Sequence, residues 1–314
     1  MNCCILKKII DYFYEMTTNQ ISFYECFYME KIWEIMSSPK FIKDLKSIES
    51  FVIKNYDYLD DNWNEKNKIK IGVERLIRFY FYKNLNLVNI YPSPLSSDLA
   101  IELNDVVLCI DAKTIDMVGN PGDDRSIHFQ KNQITFDNKP LYKRVFNGNS
   151  FHGIKFPPHL QPFYKQKPCL TYFITVNYHD DYSSFNLSHM SLCSVPHKNI
   201  VKDEYNNQII SNYKTYEYIG KTMADDLGKQ FAPKSTKNPV WIPFSIKNNN
   251  TIDGYFDSFL DHPIYSGFKS VWKKIDNKFK ICTYGGSARI DKNVLKNRNG
   301  ANGSKWTGLK KLYF

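Results

Sequence analysis

Two short apolar runs, Leu99 to Leu103 and Val106 to Ile110, flank the dipeptide Asn104-Asp105, with Asp98 before the first run and Asp111-Ala112-Lys113 after the second. Their branched residues suit strands, and Asn-Asp suits a two-residue turn, so the stretch predicts a tight β-hairpin. In that register Leu103 stands opposite Val106, Ile101 opposite Leu108, Leu99 opposite Ile110, and Asp98 opposite Asp111. One face is then wholly apolar and must be buried, and a slip of a single residue would exchange the two faces. The other face brings Asp98 and Asp111 together with Cβ atoms about 5 Å apart, and Lys113 points the same way two residues beyond Asp111.

Like charges directly opposite each other destabilise a sheet, so this face needs something to offset the repulsion. A divalent cation between the carboxylates would do so, and Mg²⁺ prefers such oxygen ligands while keeping several waters. A cation held there suits phosphodiester hydrolysis, because it polarises a phosphoryl oxygen and acidifies water. The Lys113 ammonium beside it can orient the attacking water and balance charge building on the phosphate. An isolated Asp-x-Lys is ordinarily a surface ion pair on a solvated sheet, with Asp98 merely ending a strand. The mirrored position of Asp98 is what that plainer reading leaves unexplained.

Around the hairpin, residues 1 to about 60 carry apolar side chains at spacings of three and four with almost no Gly or Pro, which predicts a helical N-terminal segment. From Lys66 to Leu85 the positions Ile69, Val73, Leu76, Ile77 and Tyr80 define one face of a further helix. Leu170 to Val176 reads as a buried strand, and residues 116 to 168 as largely polar and turn-rich. Beyond about 180, strand-like pieces such as Val240 to Phe244 alternate with loops. The stretch from Arg289 is the most basic part of the chain and reads either as a solvated flexible end or as a phosphate-contacting tail.

Asp98, a strand, a tight turn, a second strand and Asp111-Ala112-Lys113 together resemble the P-D…(D/E)-x-K signature of the restriction-endonuclease-like superfamily, with Ser97 where the signature has Pro. The resemblance implies an α/β fold, a central mixed β-sheet flanked by helices, with Asp98, Asp111 and Lys113 catalytic. It also implies Mg²⁺ bound by Asp98, Asp111 and the backbone carbonyl of Ala112. Glu74, on the helix before the hairpin, matches the additional acidic residue of many members, or else pairs with Arg78 four residues on. Glu102 shares the Asp98 face but sits near the turn, where a solvated role is expected.

The minimal core of that superfamily needs about half of a chain of 314 residues, so one elaborated domain is expected. Residues 61–185 would be the catalytic core, and residues 186–314 would add target-reading and dimerising parts with the basic tail. Such additions are similar to those of type II restriction enzymes, which implies a cytoplasmic homodimer cutting both strands of a short double-stranded DNA site within a restriction-modification system. The formal charge of +10 is compatible with a polyanionic partner. Candidate DNA contacts are Lys143, Arg144, Asn147, Asn149, Arg289 and Arg298, and Lys131-Asn132-Gln133 offers further base-reading side chains.

Seven Cys without a Cys-x-x-Cys pair argue against structural zinc and for a reducing compartment, and no apolar run suggests a membrane span. Seven His without H-N-H or H-x-x-x-H spacing argue against a ββα-metal nuclease. The rival readings are a non-catalytic DNA-binding protein, a repair or junction nuclease of the same superfamily, and a non-nuclease metal hydrolase.

Overall fold

From Thr18 on, the helical N-terminal segment follows from its own caps and spacings, and residues 1–15 of that expected segment lie outside the described residues. In a computed structural model of the chain, helix α1 (Thr18–Met36) opens on a capping box: the Gln20 N–H donates to Thr17 Oγ1 at 3.3 Å, and the Thr17 N–H donates to Gln20 Oε1 at 2.9 Å. Helix α2 (Pro39–Lys54) is capped by Ser38 with Pro in its first turn. Helices α3 (Tyr56–Asn62) and α4 (Lys70–Asn84) follow. On α4 the expected apolar face is buried through Val73, Ile77 and Tyr80, with Leu76 packed at its margin.

The structure describes residues 16–62, 68–91, 98–119, 121–130, 133–136, 144–146, 149–151, 160–181, 184–206, 209, 211–222, 241–247, 251–256, 269–275 and 278–314. Strands β1 (Asn89–Tyr91), β2 (Leu99–Glu102), β3 (Val107–Asp116) and β4 (Ser126–Gln130) come next, followed by β5 (Arg144–Phe146), β6 (Asn149–Phe151), β7 (Phe163–Tyr164), β8 (Lys167–Asp180) and β9 (Phe185–Val195). After a short helix α5 (Lys198–Glu204) come β10 (Ser211–Thr222), β11 (Trp241–Lys247), β12 (Thr251–Phe256), β13 (Lys269–Ile275) and β14 (Lys278–Asp291). The chain ends with β15 (Arg298–Asn299), β16 (Lys305–Trp306) and β17 (Leu309–Tyr313).

The central sheet runs β1-β2-β3-β8-β9-β17, with β7 also on β8. It is mixed, as expected: β3 and β8 are parallel, and the other neighbours on that path are antiparallel. The β2–β3 hairpin has the predicted register, with Leu99 opposite Ile110, Ala100 opposite Cys109 and Ile101 opposite Leu108, and Leu103 N–H donating to the Val106 carbonyl. Parallel β8 is buried from Pro168 to Tyr178, which its near-continuous apolar run requires of a strand covered on both faces. A second sheet runs β10-β14-β13-β12-β11, with β4 on β14.

The hairpin's apolar face does what its composition demands. Leu99, Ile101, Leu103, Val106, Leu108 and Ile110 share one core with Ile32, Phe41, Val73 and Ile77 of the helices. Ile101 and Leu108 have 0% exposure, and burial at that level is worth about 1.5–3 kcal/mol per side chain. On the opposite face, Ala100, Val107 and Cys109 of the hairpin pack with Tyr91, Leu160 and Cys169, while Phe173 of β8 and Cys193 of β9 lie in a further core with Phe129 of β4, Ile134, Phe136, Ile290 and Leu295.

Two expectations are corrected here. The basic C-terminal stretch is neither a flexible end nor a free tail, since β17 closes the central sheet against β9 and Lys292 and Arg298 are buried. The segment after β4 is not wholly a polar loop, since Ile134 and Phe136 are core residues. Among the described residues no helix is long and apolar enough to cross a membrane.

Candidate active site

Beyond Leu99–Ile110 the hairpin ladder ends, and β3 runs on past the start of β2. The exposed backbone of β3 needs a partner there, and Asp98 supplies one: its Oδ2 accepts the Ala112 N–H at 2.7 Å. Because the N–H and C=O of one strand residue point to the same side, the Ala112 carbonyl also projects toward the edge that β2 leaves. Ala112 packs its methyl into the helical core, and its neighbours Asp111 and Lys113 therefore emerge on the opposite face.

Asp111 is 2% exposed. Its Oδ2 lies 2.7 Å from Lys113 Nζ, whose side chain is about half exposed, and its Oδ1 accepts a hydrogen bond from Gln133 Nε2 at 2.9 Å. Burial pushes the Asp111 carboxyl up to about 7, and Asp98 and Glu74 add to the rise while Lys113 opposes it. Burial works against a charge on Lys113, yet Asp111, Asp98 and Glu74 outweigh it and hold the ammonium above the ordinary lysine range.

Glu74 of α4 belongs to the same electrostatic group. Burial raises its pKa first, then Asp98, against Lys70, Arg78 and Lys113. Its Oε1 is buried with no hydrogen bond, and Lys70 Nζ stands 3.8 Å away at the i−4 position. Among the described residues Glu74 ion-pairs with Lys70 rather than with the expected Arg78, whose charge nonetheless acts on it.

This donor set suits a hard divalent cation. One oxygen of Asp98 and one of Asp111 are taken by neutral N–H donors, Glu74 keeps a buried oxygen without a donor, and burial, reinforced by the neighbouring carboxylates, disfavours the charges of Glu74 and Asp111. Among the described residues no three His, Cys, Asp or Glu side chains stand close enough to enclose an ion by themselves. Asp98, Asp111 and the Ala112 carbonyl are a set of two side chains and one backbone oxygen.

The other expected positions fall elsewhere. Arg298 is corrected: it has 0% exposure, ion-pairs with the buried Glu25 and stacks on Trp306 at 4.6 Å, so no phosphate can reach it. Arg289 donates to Asp123 Oδ1 at 2.5 Å and to Ser126 Oγ at 3.0 Å, which ties β14 to the turn after β3. Arg144 and Asn149 lie on the β5–β6 ribbon, opposite Phe151 and Phe146. Lys143, Asn147, Lys131 and Asn132 lie outside the described residues.

Glu102 is also corrected. It is 3% exposed and receives Tyr91 Oη at 2.5 Å and Lys167 Nζ at 2.6 Å, because β1 and the β7–β8 turn cover the hairpin there. Gln133, expected among base-reading loop residues, points inward onto Asp111. No local pattern announces this contact, since it spans 22 residues and depends on how the chain returns over β3.

A model of the family described as the N-terminal domain of the type II restriction enzyme MwoI matches residues 13–182. Among solved structures, the chain is similar to restriction endonuclease BglI bound to its DNA recognition sequence, at 12% identity and a TM-score of 0.43, covering 59% of this chain and 78% of that one. It is also similar to tetrameric restriction endonuclease SfiI bound to cognate DNA, at 12% identity and a TM-score of 0.40, covering 60% and 70%. No curated protein matches the sequence.

Proposed function

The chain belongs to the MwoI N-terminal-domain family of type II restriction enzymes and is a site-specific DNA endonuclease; from that premise we propose that Asp98, Asp111 and Lys113 are its catalytic centre, working with Mg²⁺. The observation that carries this reading is that the hairpin register sets Asp98 against β3 at Ala112, with Asp111 and Lys113 on either side.

In this reading Asp98, Asp111 and the Ala112 carbonyl would hold the ion, and Glu74 of α4 would add its negative charge nearby. Bound Mg²⁺ supplies Lewis acidity for a phosphoryl oxygen and acidifies the attacking water. The protein's own groups do the rest. Asp98 and Asp111 keep their carboxylates in fixed rotations through the Ala112 and Gln133 donors. Lys113, charged and half exposed, orients the water and offsets negative charge on the phosphate in the transition state.

Double-stranded DNA is the substrate, and two copies of the chain related by a two-fold axis would each cut one strand. Residues 186–314 would supply target-reading and dimer contacts, with Lys143, Arg144, Asn147, Asn149 and Arg289 as the remaining candidate DNA contacts. The test is digestion of unmethylated phage DNA with Mg²⁺. Discrete fragments that disappear with EDTA and with Asp111→Ala are expected. A protein that shifts DNA without cutting it, or an Asp111→Ala variant as active as the parent, would overturn the assignment.

A further inference from the structure

We infer that Gln133 is a positioning residue of this centre: its side-chain amide holds the Asp111 carboxylate in one rotation, with Oδ1 turned away and Oδ2 left beside Lys113. The inference rests on the catalytic reading above and deepens it.

Three observations carry it. The contact is a well-formed, buried hydrogen bond, with Gln133 Nε2 2.9 Å from Asp111 Oδ1 and the two residues 3% and 2% exposed. Its mount is rigid. Ile134 and Phe136 are locked into the core around Phe173, the β8 neighbour of Asp111, and Thr135 Oγ1 accepts the Lys198 N–H at 3.0 Å where α5 begins. The donor is also of the right kind. The last torsion of an aspartate is soft and roughly two-fold, so without a second donor the carboxylate could swing both oxygens toward the Lys113 ammonium. An Arg or Lys in place of Gln133 would prevent that swing but would cancel the charge a cation needs. A neutral amide orients the group and leaves its charge intact.

Outer donors of this sort typically change metal affinity or activity by about 10–100-fold when removed. Gln133→Met keeps the length and volume of the side chain and deletes only the donor. In the full-length protein, Ca²⁺ affinity without DNA, followed by calorimetry and by the Ca²⁺-induced rise in melting temperature, should fall about 10–100-fold. The Mg²⁺ concentration for half-maximal cleavage should rise in parallel, while KM for DNA and DNA binding in EDTA stay unchanged. Gln133→Lys should fold and lose more metal affinity than Gln133→Met. If Gln133→Met fails to fold, Gln133→Asn, one methylene short of Asp111, provides the same readouts. Parental Ca²⁺ affinity and Mg²⁺ requirement in these variants would overturn the inference. So would lost DNA affinity in EDTA with metal affinity intact, which would make Gln133 a base reader. Failure of the catalytic reading itself shows separately, as full cleavage by Asp111→Ala.

Discussion

Asp111 illustrates what a buried carboxylate costs a protein. At 2% exposure beside two other acidic groups it is held up to about 7, and Lys113 offsets only part of that penalty because its ammonium stays half in water. Asp111→Asn keeps an oxygen for Gln133 and removes the buried charge. In EDTA at pH 8 this variant should melt a few degrees above the parent while cutting no DNA, as read by calorimetry and a digestion assay. A variant that melts lower would show that the ion pair with Lys113 outweighs the burial penalty. Glu25 is likewise raised by burial, against the opposing pull of its buried partner Arg298 and of the His197 N–H that it accepts at 2.6 Å. Their value lies in joining α1 to the C-terminal strands, and removing either partner would strand a charge.

At the scale of elements, β3 is held within its second half and just beyond its end. Asp98 accepts the N–H of its residue Ala112, and the 3-10 turn Pro121–Asp124 that follows it is clamped through Asp124. Asp124 Oδ1 meets His189 Nε2 at 2.9 Å, Asn177 Nδ2 at 3.0 Å and Lys292 Nζ at 3.7 Å, while Oδ2 meets Lys311 Nζ at 3.0 Å. β8, β9, β17 and the turn after β14 thus converge on one carboxylate. Burial alone would raise its pKa, but His189, Lys311 and Lys292 prevail and press it down to about 2. A depressed carboxylate stabilises the fold above its unfolded pKa, 3.8, and that contribution is lost as pH falls through about 2. Asp124→Asn should therefore cost about 3 kcal/mol at pH 7, and its difference from the parent in urea unfolding should shrink as the pH is lowered through that window. A difference independent of pH would show that Asn retains what the carboxylate provides.

For the whole molecule, the decisive contact is the return of the last strand to the central sheet. β17 pairs with β9 from Leu309 opposite Cys193 to Tyr313 opposite His189, so the far end of the chain completes the sheet that carries β3. Ending the chain after Gly308 would uncover the β9 edge and remove Lys311 from Asp124. The truncated protein should show a lowered melting temperature and self-association by light scattering, as an unprotected edge strand predicts. A monomer with parental stability would mean that β9 needs no cover.

The sequence by itself determined the hairpin, because its alternation and the Asn-Asp turn admit one register that buries all six apolar side chains, and that register alone places Asp98 beside β3 at Asp111 and Lys113. The helices before it were equally legible in periods of three and four. Only the tertiary structure decided the roles of Gln133, Glu102, Lys292 and Arg298, whose partners lie up to 273 residues away for Arg298 and Glu25. A local pattern states which face of an element is apolar; which distant polar group arrives at that face depends on how sheets and helices pack, and there a basic residue of seemingly solvent-facing sequence becomes part of the core.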